Sequence, residues 1–85
     1  MRFLAEAYVP RSRAGDSSRD AQRARAAAEQ LSGESTCVRY VRTTLLPDDE
    51  TCFHIFEALS ADAVSEVCRR ARLNLARIVP VVEEE

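Results

Sequence analysis

Residues 38–58 leave the chain few choices. Val38-Arg39-Tyr40-Val41-Arg42-Thr43-Thr44-Leu45-Leu46 and Thr51-Cys52-Phe53-His54-Ile55-Phe56-Glu57-Ala58 are rich in β-branched and aromatic residues, and Pro47-Asp48-Asp49-Glu50 joins them. Two such runs around a short Pro/Asp connection predict a β-hairpin. The register that sets Arg42 opposite His54 also sets Tyr40 opposite Phe56 and Thr44 opposite Cys52 on one face. On the other face it matches Val41 with Ile55, Thr43 with Phe53 and Arg39 with Glu57. Aromatic, β-branched and opposite-charge pairs of this kind are each worth roughly 0.2–1 kcal/mol. A slip of one residue opposes Tyr40 to Glu57 and Arg42 to Ile55, so the first register is expected.

The flanking segments supply the rest of the fold. Phe3 to Val9 alternates, with Phe3, Ala5, Ala7 and Val9 on one side and Leu4, Glu6 and Tyr8 on the other. That period of two predicts a strand, and the small Ala5 and Ala7 leave room for a helix close above it. Pro10 ends the strand. After a polar loop from Arg11 to Asp16, a helix capped by Ser17 or Asp16 runs to Leu31. Its inward stripe is Ala21, Ala24, Ala27, Ala28 and Leu31, while Arg19, Arg23, Arg25 and Glu29 face water, and Ser32-Gly33 stops it. Ser60 caps a second helix with Asp62 in its first turn. Val64, Val67, Cys68 and Ala71 form its apolar face, Arg69, Arg70 and Arg72 crowd its end, and Asn74 is the expected left-handed closing residue. Residues 76–82 form a last strand, which Pro80 confines to a sheet edge. Glutamates 83–85 make an acidic tail.

The order strand, helix, strand, strand, helix, strand is the ferredoxin-like βαββαβ pattern of an α+β protein. It implies a four-stranded antiparallel sheet with two helices on one face. Eighty-five residues make one domain, 1–85. A chain of this size buries only about 60–65% of its unfolded surface, so a partner copy would help its thin core.

Several function classes are disfavoured. A net charge of −2 argues against nucleic-acid binding, and residues 52–57 lack the Gly and Lys/Arg of an RNA-binding sheet motif. No apolar run approaches 18 residues, so no membrane span is expected, and the start does not read as a secretory leader. Cys37, Cys52 and Cys68 are an odd count without Cys-x-x-Cys spacing, the usage of a reducing compartment, so a cytoplasmic location is expected. There is no glycine-rich phosphate loop either.

The sheet face away from the helices is expected to carry Leu4, Glu6, Tyr8, Tyr40, Arg42, Thr44, Cys52, His54 and Phe56. So apolar a face predicts a face-to-face homodimer, a dimeric α+β barrel. Tyr8, Tyr40, Arg42 and Phe56 are then the candidate small-ligand contacts. Glu6, Cys52 and His54 are the candidate metal donors, with the second subunit adding a second set. Glu6 and His54 could alternatively do proton transfer in an inter-sheet cavity, or simply satisfy each other and Arg42 inside the interface. Cys37 is expected to point toward the helices.

Val38-x-Tyr40-Val41 leading to Pro47-Asp48-Asp49-Glu50, then Phe53-His54-Ile55-Phe56-Glu57-Ala58-x-Ser60, and Ala71-x-Leu73 with Arg77-Ile78 resemble a family of small bacterial proteins. These are the nickel-binding, nickel-responsive ferredoxin-like proteins, and Leu4-x-Glu6 fits their first strand. The resemblance implies a non-catalytic ferredoxin-like homodimer binding Ni2+, or another divalent transition metal, at its surface. The chain departs from the family pattern at Arg42 and His54, and a single histidine is few imidazoles for nickel. The leading expectation is a small non-enzymatic cytoplasmic protein with a weak metal or small-ligand site on the open face. The alternatives are a dimeric α+β-barrel enzyme using His54 and Glu6, and a protein-interaction module.

Overall fold

The computed structural model describes residues 1–84; Glu85, the last residue of the acidic tail, lies outside them. Strand β1 (Arg2–Tyr8) leads through a 3-10 segment (Arg11–Asp16) into helix α1 (Ser17–Gly33). The hairpin is β2 (Val38–Leu46) and β3 (Thr51–Ala58), joined by a 3-10 turn at Pro47–Asp49, and α2 (Ala61–Arg70) and β4 (Leu75–Val81) complete the chain. The sheet order is β2-β3-β1-β4 with every neighbour antiparallel. Pro80 therefore lies in an edge strand, as its missing N–H requires.

Small residues let α1 settle on the sheet. Ala24, Ala27, Ala28 and Leu31 are buried along it, and Ala5 beneath is fully buried. Ala21, expected in the same stripe, is only half-buried. The Ser32 hydroxyl accepts from the Val38 N–H at 3.2 Å and donates to the Val38 carbonyl, clipping the end of α1 to the start of β2. Ser60 caps α2 by accepting from the Ala63 N–H at 3.2 Å, and Ala63, Val64, Val67 and Cys68 are buried along it. The left-handed residue after α2 is Arg72 (φ 57°), not Asn74: the chain must turn within two residues of Arg70, earlier than the sequence suggested.

The hairpin uses both candidate registers. Arg39 opposes Glu57 and Tyr40 opposes Phe56, as expected, but the ladder then shifts by one. Beyond Tyr40, Arg42 opposes Ile55, Thr43 opposes His54, Thr44 opposes Phe53 and Leu45 opposes Cys52. Val41 is the extra residue of a β-bulge, which lets Tyr40 and Thr43 share the helix side although they are three apart. A period-two reading carries parity unchanged through a strand and so gave the wrong β3 partner to Arg42, Thr43 and Thr44, although Arg42 and Thr44 do lie on the open face as expected.

Candidate functional site

The pairing of β1 with β3 decides which face each side chain takes. Phe3 opposes Phe56, Ala5 opposes His54 and Ala7 opposes Cys52, so these residues share the helix-covered face. His54, Cys52 and Phe56 are each fully buried there, and Tyr40 is half-buried beside them, not on the open face where they were expected. Both faces of β3 are apolar enough to be buried, so alternation alone does not choose between them. The open face carries Arg2, Leu4, Glu6, Tyr8, Arg42, Thr44, Phe53, Ile55, Arg77 and Val79.

The expected metal set is thereby split by the sheet. Glu6 lies on the open side, where its Oε2 meets the Arg77 Nε at 3.3 Å, while Cys52 and His54 lie beneath the helices. The proposed acid–base pair of Glu6 and His54 is separated in the same way. Of the expected ligand contacts, Tyr8 and Arg42 share the open face and Tyr40 and Phe56 belong to the core layer. Cys37 is exposed just before β2, so it is not part of the core. Cys68 is core, as its place in the α2 stripe predicted.

Among the described residues His54 is the one buried polar or charged side chain, and it is held on one nitrogen. Its Nδ1 lies 2.7 Å from the Thr43 Oγ1, which lies 2.7 Å from the Tyr40 hydroxyl. Nε2 has no hydrogen-bond partner. Burial is the main cause that pulls the imidazole below its ordinary pKa of 6.5; Asp20 opposes that shift and Arg23 adds to it. The Cys52 thiol is pushed up to about 11 by burial, with Asp20 contributing. Both groups are thus neutral and dry at neutral pH.

A nickel centre within one chain does not fit these residues. Nickel needs several imidazole, thiolate or carboxylate donors converging on an accessible point. Here the one histidine is sealed, two of the three thiols are protonated and buried, and no cluster of three or more His, Cys, Asp or Glu side chains stands ready among the described residues.

What the geometry defines is a ferredoxin-like α+β protein with a closed, partly polar core and a mixed apolar and charged open sheet face. The chain belongs to the SCO4226-like family of nickel responsive proteins, whose sequence model matches residues 5–81. It is similar in structure to SCO4226 from Streptomyces coelicolor A3(2), with a TM-score of 0.76, 22% identity and all of both chains covered. No curated protein matches the chain.

Sequence reasoning missed Arg25. It was placed among solvated arginines, but its guanidinium lies over the Tyr40 ring, 5.2 Å from the centroid. Only the α1–β2 packing brings the two together, and no local signal marks it.

Proposed function

We propose that this chain is a non-catalytic homodimeric member of its family that closes through the open sheet face and carries no tight nickel site of its own. The observation that carries this reading is the complete burial of His54. It removes the chain's only imidazole from both general-base chemistry and surface metal ligation. Leu4, Phe53, Ile55, Val79 and Val81 are half-exposed apolar side chains on the open face, bordered by the Arg2–Glu57 and Glu6–Arg77 ion pairs. An apolar centre with a charged rim is the anatomy of a self-complementary interface. Three unpaired thiols, two of them in the core, support a reducing, cytoplasmic setting. Any divalent metal would then be held weakly, by surface carboxylates alone.

Native mass spectrometry of the purified protein, titrated with nickel and with zinc, tests this. The expected result is a dimer that gains no stoichiometric metal at micromolar concentrations. Stoichiometric nickel uptake that is lost in His54→Ala would overturn the reading, since it would require the core to open around the imidazole.

A further inference from the structure

A groove of about 780 Å3 runs between the second half of α1 and the start of edge strand β2. That volume is in the range of small-molecule sites, about 300–1,000 Å3. Its floor is apolar, made by the buried Ala28, Val38 and Ala58, and Leu59 stands at its rim with 83% of its surface exposed. Its wall is Tyr40, fixed by an edge-on contact with Phe56 (5.9 Å between centroids) and by the hydroxyl's hydrogen bond to Thr43.

The charges around this groove are unbalanced. The Arg25 guanidinium lies over the Tyr40 ring, and among the described residues none of its N–H groups has a hydrogen-bond partner, so its donors are unspent. Among the described residues no carboxylate lies within 4 Å of Arg25 or of Arg39, the second arginine on the groove; Arg11, Arg19, Arg42 and Arg72 are likewise without an ion-pair partner but lie away from it, and the other six arginines are paired. Of the two rim carboxylates, Glu57 is already engaged by Arg2 at 2.6 Å and by the N-terminal amine at 3.7 Å. Arg39 still faces Glu57 across the β2–β3 ladder, so Arg25 is the groove cation left without a carboxylate partner among the described residues, with Glu29 the remaining acid at the rim.

We propose that this groove binds a small amphipathic carboxylate, a medium-chain aliphatic acid. Its chain lies on Ala28, Val38, Ala58 and Leu59, and its carboxylate accepts hydrogen bonds from Arg25, with Arg39 adding charge. A planar fork held over an aromatic ring suits a carboxylate better than a neutral head group. The floor is on the helix side of the sheet, so the site does not depend on the open face being a dimer interface.

Titration of the 15N-labelled full chain with decanoate, and separately with decanol, tests the assignment by NMR. Decanoate is expected to give saturable shifts at Val38, Tyr40, Ala58 and Leu59, and decanol to bind about tenfold more weakly or less. Arg25→Gln should weaken decanoate by about tenfold with an unchanged circular dichroism spectrum, and Arg25→Lys, which keeps the charge but not the planar fork, should recover only part of the affinity. Equal binding of decanoate and decanol, no effect of Arg25→Gln, or shifts confined to Leu4, Phe53 and Ile55 would each overturn the proposal.

Discussion

Thr43 and His54 face each other across the β2–β3 ladder, Oγ1 to Nδ1 at 2.7 Å, and the bulge at Val41 is what makes them partners. Without the extra residue Arg42 would stand opposite His54, directing a cation into the layer beneath α1. With it, a hydroxyl takes that place and Arg42 turns to the open face. The Thr43 hydroxyl links the imidazole to Tyr40, and in either direction of the hydrogen-bond chain Nε2 stays unmatched. A polar core element is thus satisfied on one side only.

Thr43→Val keeps the shape of the side chain and removes the link. Both imidazole nitrogens would then be buried without a partner, at a cost of about 1–3 kcal/mol. Urea unfolding should show a lower midpoint with an unchanged slope. An unaltered midpoint would mean that the Nδ1 contact contributes nothing net.

The sealed imidazole also sets a pH dependence. Its folded pKa is depressed, mainly by burial, with Asp20 opposing and Arg23 assisting, so below the ordinary value of 6.5 the unfolded chain binds a proton that the native state refuses. The stability from a neutral His54 is complete above pH 6.5 and falls as the pH drops from there toward the folded pKa. One group can contribute a slope of at most about 1.4 kcal/mol per pH unit. In His54→Phe the part of the slope between pH 6.5 and 5 that belongs to His54 should vanish. Parallel curves for the two proteins would show that the imidazole titrates freely in the fold.

Much of the fold was legible in the sequence because it rests on local rules. The βαββαβ order, the Ser60 cap, the inward stripe of α2 and the edge position of Pro80 each follow from periodicity, capping or a missing donor. The candidate site was not legible, for two physical reasons. A bulge breaks strand parity without any glycine or proline to announce it, as at Val41. And β3 has two apolar faces, so only its pairing with β1, Ala5 against His54, fixes which side is covered. One inverted face moved Cys52, His54 and Phe56 from the open side into the core together.

Arg72 closes α2 with φ of 57°, a conformation that strains an L residue, and it is exposed. Left-handed backbone costs a non-glycine residue about 1–2 kcal/mol, while glycine loses roughly 0.5–1 kcal/mol through its more mobile unfolded state. Arg72→Gly should therefore stabilise the protein by up to about 1 kcal/mol. Thermal unfolding of the two proteins side by side checks it, and a lower melting temperature for the variant would show that the arginine side chain has a stabilising role.

Phe53 tests the open face. It lies on central strand β3, half-buried, between Glu6 on β1 and Thr44 on β2. In a separate subunit an arginine at this position has Glu6 across the strand as a partner, so Phe53→Arg should leave the fold intact. In a face-to-face dimer the same change buries two cations in the interface and removes two aromatic anchors, and a desolvated unpaired charge costs several kcal/mol. Sedimentation should show the parent chain as a dimer and Phe53→Arg as a folded monomer at low micromolar concentration. A parent chain that is monomeric at every concentration would mean that Leu4, Phe53, Ile55 and Val79 are simply wet. The role of that face as an interface would then be lost, while the groove beneath Arg25 would stand or fall on its own titration.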